Sequence, residues 1–362
     1  MTYKIKKRCA TDDYHKALLA LHGERYKVNR MRDESSILNS ISSIGLRTRG
    51  QLPSVVTIPV VVHVVYRGKQ DNITDEQIQS QINILNKDYR KMNSDITKVP
   101  GPFKSRVGDA RIEFQLACRD PSGNSTNGIT RTHTTEKIFY VPNNPPSPRE
   151  EKIKFKSKGG KDAWDTQRYL NLWLCNDLRD RNDQGILGYA QFPRGPPETD
   201  GVVIAQSAFG NIGTASVRGN PYNKGRTATH EIGHYLGVYH IWGDESTLQD
   251  PCRGTDNVGD TPNQRSYNTG NPNFPSMDVA CPSTGRNGTM FMNYMDYSYD
   301  ESLYMFTKGQ IARMRAVLVN SRSSLLQSDA LLCSQADSSD LMKLPTNVYN
   351  AVDSLVPVEN IL

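Results

Sequence analysis

The stretch His230-Glu231-Ile232-Gly233-His234-Tyr235-Leu236-Gly237-Val238-Tyr239-His240 decides how this chain folds around its most reactive residues. Two imidazoles four residues apart lie on one face of a helix and can bind a single metal ion. Gly237 can adopt the positive φ that ends a helix, so that the chain turns and brings a third imidazole, His240, to the same ion. Three neutral nitrogens leave a fourth tetrahedral position for water, which is typical of catalytic rather than structural zinc.

The residue after the first histidine completes the chemistry of this motif. Glu231 is expected to lie beside the zinc-bound water as its general base. A helix that is rich in histidine by coincidence is the alternative, but the number of fixed positions makes the pattern specific. The motif therefore predicts a zinc-dependent peptidase with His230, His234 and His240 as metal ligands and Glu231 as the base.

Composition sets limits on the class of protein. The chain has 362 residues, which allows two or three compact units, and a net charge of +6 that is spread along the sequence. No apolar run approaches the length that crosses a bilayer. We therefore expect neither a membrane nor a nucleic-acid partner, and we expect a monomer. The basic N-terminus is followed by Thr11-Asp12-Asp13 rather than by an apolar core, so no signal peptide is visible.

The six cysteines are too few for a disulfide scaffold at this length. Cys252 and Cys281 flank a polar loop without regular periodicity, and a bridge between them would stabilise that loop. Such a bridge indicates an oxidising compartment, so we expect a secreted protein. Cys118 and Cys175 lie in apolar, strand-like runs, which favours small buried side chains without partners.

Apolar periodicity predicts the elements around the motif. A β-branched run at 58–66 is typical of a central strand. Capping-box residues at Thr74–Gln77 and Thr307–Gln310 predict the starts of two helices. Residues up to about 50 should be partly helical, and those from 323 onward carry little periodicity. Further strands are expected at 111–118, 169–175, 185–190 and 201–205. This order predicts an α/β fold with a mixed sheet.

Four segments together carry a family resemblance. They are the zinc motif, the run Cys252–Pro262, and Asn293-Tyr294-Met295-Asp296-Tyr297 followed by Phe306–Gln310. Together they resemble the metzincin clan of zinc peptidases and, within it, the pappalysin family. The resemblance implies a metzincin fold: an N-terminal subdomain with a twisted mixed sheet and the zinc helix, and an irregular C-terminal subdomain with a Met-turn and a C-terminal helix. It implies secreted endopeptidase activity on protein or peptide substrates.

The resemblance also implies roles for residues near the metal. Met295 would be the Met-turn residue beneath it, and Tyr297 would stabilise the oxyanion or contact zinc. Asp300 would form the base of the S1′ pocket and select Arg or Lys after the cleaved bond, at P1′. Gly188, Tyr189 and Ala190 lie on a strand that could add backbone hydrogen bonds to an extended substrate. A packing aromatic at Tyr297 and a surface acid at Asp300 are the alternatives.

Two features suggest regulation and a second metal. Cys9 is flanked by Lys7 and Arg8, which should lower the pKa of its thiol, and a thiolate from a pro-segment could occupy the fourth position of zinc and impose latency. An incidental N-terminal cysteine is the alternative. Hard oxygen ligands that suit calcium occur in one short loop, although an acidic solvated loop is also consistent with them. These calcium ligands are Asp256, the Val258 carbonyl, Asp260 and Thr261.

We thus expect a pro-segment over 1–52, a catalytic domain over 53–322 and a tail over 323–362. The catalytic domain divides into upper (53–240) and lower (241–322) subdomains. If the P1′ preference is basic, Leu46–Arg47, Thr48–Arg49 and Ser321–Arg322 are natural self-cleavage bonds. A zinc hydrolase acting on another bond, or a non-catalytic binding module on the same fold, are the competing interpretations.

Overall fold

The computed structural model describes residues 5–43, 53–142, 150–244 and 249–333, with the side chains of 5–7 and 43 left aside. The N-terminal region contributes strand β1 (Ile5–Cys9) and helix α1 (Thr11–Ser43), which is interrupted at Gly23. The remaining strands are β2 (Val56–Tyr66), β3 (Ile112–Leu116), β4 (Ile129–His133), β5 (Phe139–Tyr140), β6 (Leu170–Cys175), β7 (Leu178–Arg179), β8 (Gly185–Ala190) and β9 (Val202–Ala205). The remaining helices are α2 (Asp75–Tyr89), α3 (Gly101–Lys104), α4 (Arg226–Tyr235) and α5 (Lys308–Asn320).

These strands form one mixed sheet in the order β3-β2-β6-β9-β8-β7-β5, with β1 beside β8 and β4 beside β2. The β2, β6 and β9 strands are parallel neighbours, whereas β8 runs antiparallel to both β9 and β7. The β-branched run predicted as a central strand is β2, and it is buried along nearly all its length, as expected for a strand covered on both faces. The predicted α/β fold with a mixed sheet is confirmed.

Alternation along the strands separates two cores. On β9, Val202 and Ile204 face the core formed with α2 and α4, while Val203 and Ala205 face a second core on the other side of the sheet. Tyr14 and Leu18 of α1 are buried in that second core. The N-terminal segment is therefore an integral layer of this structure rather than an appendage.

The predicted helix starts are found, with one difference. Thr307 and Gln310 form a complete capping box at the start of α5. At α2 the Thr74 hydroxyl accepts a hydrogen bond from the Gln77 amide, but the reciprocal side-chain bond is not formed. Among the described residues, no helix combines the length and the apolar character needed to cross a membrane.

Two cysteine expectations have different outcomes. Cys252 and Cys281 form the predicted disulfide. Cys175 is buried and unpaired, as expected. Cys118, however, forms a disulfide with Cys333, so its assignment as an unpaired buried residue was wrong. The partner lies 215 residues away in sequence, and only the fold brings the two thiols together.

One cysteine of the same disulfide, Cys333, lies within the predicted tail, which was expected to begin at residue 323. Leu325 is part of the main core and Ala330 packs with Val61 and Tyr169. Residues 323–333 therefore pack against the rest of the described structure, although the sequence predicts a tail from 323. Arg322 is buried and forms an ion pair with Asp200, so the Ser321–Arg322 bond is not an accessible cleavage site. The Leu46–Arg47 and Thr48–Arg49 bonds and residues 334–362 lie outside the described residues.

Candidate active site

The zinc motif forms a compact cluster of imidazoles. His230 and His234 project from one face of α4, which ends just before Gly237 with its φ of +80°. The turn brings His240 back, and the three Nε2 atoms lie 3.1–3.2 Å from one another. Three ring nitrogens at this spacing, aimed at one point, fit a tetrahedral ion bound through Nε2.

The opposite nitrogen of each ring is held by a fixed acceptor. His230 Nδ1 donates to the Tyr294 carbonyl at 2.6 Å, and His234 Nδ1 donates to the Val238 carbonyl at 2.7 Å. His240 Nδ1 bonds to the Asp244 carboxylate, a partner that the motif did not reveal. These bonds leave the Nε2 lone pairs free for a metal. Burial lowers the pKa of His230 well below its usual value and that of His234 to about 3, so both rings are neutral ligands.

Glu231 lies within the same buried cluster. Burial raises the pKa of its carboxyl group to about 7. One carboxylate oxygen accepts a hydrogen bond from the Thr11 hydroxyl at 2.8 Å, and the Cys9 thiol lies 3.4 Å from the same oxygen. The other oxygen, Oε1, is buried without a partner. A carboxyl group with a pKa near neutrality can accept and release a proton at physiological pH.

The Cys9 thiol lies beside the three imidazoles. Among the residues that the structure describes, Cys9, His230, His234 and His240 are the group of potential ligands that could hold a metal ion, with all four ligand atoms within 4.8 Å of one another. The expectation that cationic neighbours lower the pKa of this thiol was wrong. Burial, together with the Glu231 charge, raises the Cys9 pKa, and Arg8 turns its guanidinium towards Asp300 instead.

The predicted substrate strand is occupied by the N-terminal segment. Strand β1 pairs in parallel with β8, the Ala10 amide donates to the Gly188 carbonyl at 3.0 Å, and the Ala190 amide donates to the Thr11 hydroxyl at 2.8 Å. A Cβ on Gly188 would lie 2.9 Å from the Val203 carbonyl and 3.0 Å from Glu231 Cγ. Glycine at this position therefore lets β8 pass close to the proposed base.

The Met-turn residues lie beneath and beside the histidines. A Cβ on Gly233 would come within 2.6 Å of Met295 Sδ, so the thioether packs directly against α4. The Tyr297 ring contacts His240 at 5.0 Å between centroids, and its hydroxyl donates to the Cys9 carbonyl at 3.0 Å. Burial raises the Tyr297 pKa, so its phenol stays protonated and can donate a hydrogen bond.

Asp300 is fully buried at the end of a pocket filled by Arg8. One oxygen accepts from the Arg8 guanidinium at 2.8 Å, and the other accepts from the backbone amides of Lys224 and Arg226. The Arg8 guanidinium also lies over the Tyr222 ring and donates to the Ser298 carbonyl. Asp300 is therefore not a solvated surface acid; it supports the start of α4 and binds an arginine.

Only some of the predicted calcium ligands in the oxygen-rich loop lie close together. The Thr261 hydroxyl lies 2.8 Å from an Asp256 oxygen and 3.0 Å from the Val258 carbonyl. Asp260 instead accepts from the Gly309 amide with one oxygen, while its other oxygen is buried without a partner. Burial raises the Asp256 pKa to about 7, which a bound cation would offset.

Sequence reasoning missed several contacts of this site. No sequence pattern indicated the roles of Thr11 and Asp244, because their partners are distant in sequence or belong to no motif. A polar residue two positions after Cys9 could have been examined as a partner of Glu231, but nothing in the pattern distinguished it.

Comparison with known proteins gives a consistent result. Residues 155–319 match the Peptidase_M43 family model, described as pregnancy-associated plasma protein-A. An extracellular metalloprotease of Arthroderma otae is 30% identical over 288 residues, which cover 78% of this chain and 84% of that protein. A mutant of Tannerella forsythia promirolysin is 44% identical with a TM-score of 0.73, covering 90% of this chain and 98% of that one. Mature mirolysin from the same organism, in complex with a cleaved peptide, is 49% identical with a TM-score of 0.68, covering 77% of this chain and 98% of that one.

Proposed function

Because this chain belongs to the pappalysin family of metzincin metalloproteases and is a metalloendopeptidase, we propose that it is secreted as a zinc-dependent zymogen whose N-terminal segment blocks its own active site. The observation that carries the proposal is the Cys9 thiol, which shares one buried cluster with the three histidines of the zinc motif. Relatives named extracellular metalloproteases support secretion.

The donor set fits zinc. Three neutral imidazoles and one thiol are the ligands that zinc prefers in tetrahedral sites, and all four are buried in one place. Zinc, when bound, supplies a Lewis acid that polarises the scissile carbonyl and makes a neutral-pH nucleophile available. His230, His234 and His240 would hold it in the active form, and Cys9 would add the fourth ligand in the latent form.

The protein's own groups perform the proton transfers. Glu231 takes a proton from the attacking water and delivers it to the leaving amine. In the latent form Oε1 has no partner and Oε2 binds Thr11, so departure of the pro-segment would leave both oxygens available for that water. The Tyr297 phenol, released from the Cys9 carbonyl, would donate a hydrogen bond to the developing oxyanion.

Latency involves the metal, the base and the substrate strand together. The Cys9 thiol lies beside the three histidines, and the Thr11 hydroxyl binds Glu231. Residues 9–11 also form hydrogen bonds with β8 at Gly188 and Ala190. The comparisons favour a pro-segment, since promirolysin covers 90% of this chain and mature mirolysin covers 77% of it. We use "pro-segment" below for the first 52 residues.

A basic P1′ preference follows from the Arg8 contact. Arg8 sits on Asp300 as a substrate arginine would, with its guanidinium paired to a buried carboxylate and stacked on an aromatic ring. Structural calcium at Asp256, the Val258 carbonyl, Asp260 and Thr261 completes the proposal. The Thr261 hydroxyl is within hydrogen-bond reach of both Asp256 and the Val258 carbonyl, and one buried Asp260 oxygen lacks a partner.

The test is a peptide-hydrolysis assay on the zinc-loaded full chain. Wild type is incubated with an arginine-containing peptide before and after activation, with and without a chelator, beside Glu231→Ala. We expect activity that appears on activation, is lost on chelation, and falls in Glu231→Ala by at least about a hundredfold. A Cys9→Ala form should activate faster than wild type, because the thiol is one of the contacts that hold the latent state. Chelator-resistant hydrolysis, or activated protein that cuts no peptide, would overturn the proposal and favour a binding module or another hydrolase.

A further inference from the structure

A second contact of the pro-segment lies on the far side of β8 from the histidines. Tyr14 of α1 is fully buried, and its ring packs 4.9 Å from the Tyr189 ring. Gly188 faces Glu231, so the next residue, Tyr189, faces the opposite side of the sheet. We call the surroundings of the Tyr14 side chain the phenol socket; it is formed by Glu151, Lys154, Tyr189, Gln191 and the Thr199 side chain.

Every wall of the phenol socket comes from the catalytic domain. The Tyr14 hydroxyl donates to Glu151 at 2.8 Å and lies 3.2 Å from the Gln191 side-chain oxygen. The same hydroxyl accepts a hydrogen bond from the Lys154 ammonium at 3.3 Å. Lys154 also places its ammonium 4.6 Å from the centre of the Tyr14 ring. Departure of the pro-segment would leave this lining in place and remove only its occupant.

The charges of the socket select one kind of side chain. Glu151 and Lys154 form a buried ion pair at 2.7 Å, so the socket as a whole is neutral. The positive charge of the Lys154 ammonium would repel an entering lysine or arginine. A phenylalanine would leave the Glu151 oxygen and the Lys154 ammonium without the partner that Tyr14 supplies, and unpaired buried polar groups are costly. A neutral ring with one hydroxyl that both donates and accepts fits all of these groups.

The socket is continuous with the proposed substrate strand, and the residues that fill it and contact Asp300 lie on opposite sides of Cys9 in sequence. Tyr189 stands between Gly188 and Ala190, which contact Ala10 and Thr11. Arg8, on Asp300, precedes Cys9 along the pro-segment, whereas Tyr14 follows it. If Asp300 receives the residue after the cleaved bond, the phenol socket receives a residue before it.

We propose that the phenol socket of the activated enzyme is a second specificity pocket, which binds a substrate tyrosine on the N-terminal side of the cleaved bond. The inference rests on the proposed function, because it requires that the pro-segment leaves and that a peptide takes its place along β8. In the zymogen, Tyr14 holds this pocket as Arg8 holds the pocket at Asp300.

The experiment compares the cleavage of matched peptides by the enzyme that has been activated from the full chain. Each peptide carries arginine after the scissile bond, and one position at a time before that bond is tyrosine, phenylalanine or alanine. We expect one position at which kcat/KM for tyrosine exceeds that for phenylalanine by about tenfold. Glu151→Gln, which weakens the acceptor and removes the charge that pairs with Lys154, should lower this ratio severalfold. Glu150→Gln, at the exposed neighbour that pairs with Lys158, is the matched control and should keep the ratio.

The outcomes separate this inference from the function on which it rests. Cleavage without a tyrosine preference at any position before the bond would overturn the phenol socket and leave the peptidase intact. A preference unchanged in Glu151→Gln would also overturn it. Protein that cuts none of the peptides would instead contradict the proposed function. The wild-type ratio of tyrosine to phenylalanine decides the question even if Glu151→Gln does not fold.

Discussion

At the scale of single residues, Asp300 combines two roles that one substitution can separate. Its Oδ2 accepts from the amides of Lys224 and Arg226, and its Oδ1 accepts from Arg8. An asparagine can keep the first contact through its carbonyl oxygen while it loses the charge that attracts a guanidinium. The isosteric change is therefore a sharper probe of specificity than truncation.

We predict that Asp300→Asn lowers kcat/KM for peptides with arginine at P1′ by about a hundredfold or more, because the paired charge is lost. Cleavage of a peptide with a neutral P1′ residue should change much less. Peptide-library profiling of wild type, Asp300→Asn and Glu301→Gln, whose side chain is exposed, measures this. An arginine preference that survives in Asp300→Asn would remove this acid from the S1′ pocket.

His63 is a buried histidine outside the metal cluster. Its ring nitrogens bond to the Thr130 hydroxyl at 2.7 Å and to the Asn171 side-chain oxygen at 2.9 Å. Burial lowers its pKa from 6.5 to about 4. The unfolded chain therefore takes up a proton first as the pH falls, so the stability that neutral His63 contributes is present above about pH 6.5 and is lost between about 6.5 and 4.

We predict that the free energy of unfolding falls less steeply between pH 6.5 and 4 in His63→Gln than in wild type. A shift of this size corresponds to about 3 kcal/mol. Denaturant unfolding at a series of pH values measures the difference between variant and wild type. His133→Gln, at an exposed histidine of β4, should follow the wild-type curve. Parallel curves for wild type and His63→Gln would contradict the assignment.

At the scale of elements, α1 is attached to the catalytic domain by buried ion pairs. Glu34 makes two hydrogen bonds of 2.7 Å to Arg313, whose side chain is fully buried on α5. Arg30 and Asp33 contact the Pro193 carbonyl and Ser321. These contacts lie far along the helix from Cys9, so latency depends on the whole helix as well as on the thiol.

We predict that Glu34→Ala speeds activation of the zymogen by about tenfold or more. Removal of one partner leaves Arg313 buried without its charge partner only while α1 is docked, so the variant weakens docking. The appearance of activity with time, followed by mass spectrometry, measures the rate. Glu24→Ala, at an exposed residue of the same helix, should activate like wild type. Equal rates for all three proteins would contradict the proposed anchor.

The start and end of α4 illustrate what sequence could predict about an element. The motif predicted the helix, the positive φ of Gly237 and the return of His240, because spacing and backbone sterics determine them. It could not predict that Asp244 holds His240 or that Thr11 binds Glu231. Those contacts join residues that share no periodicity, and the second crosses 220 positions of sequence.

At the scale of the whole molecule, the sequence predicted the sheet and the central helix, but few of the contacts that the two terminal segments make. Local patterns specify strands and caps, so the α/β order was readable. The docking of α1 against β8 and the bridge from Cys118 to Cys333 depend on contacts between distant segments. The phenol socket is of the same kind, since residues near 14, 151 and 189 meet only after folding.

We predict that the Cys118–Cys333 bridge stabilises the folded domain by closing a long loop. Replacing both cysteines by serine should lower the free energy of unfolding by about 2–5 kcal/mol. Denaturant unfolding of the double variant beside wild type measures this, and Cys175→Ser is the control for loss of a buried cysteine that forms no bridge. An unchanged unfolding midpoint would show that the segment near Cys333 is held without the bridge.

X-ray absorption at the zinc edge examines the metal, the latent thiol and the fold together. In the zinc-loaded zymogen we expect one ion per chain with three nitrogen ligands at about 2.0–2.1 Å and one sulfur ligand at about 2.3 Å. Activation, or Cys9→Ala, should remove the sulfur and keep the three nitrogens. A spectrum with no sulfur in the latent protein, or with fewer than three imidazoles in either form, would contradict the site described here.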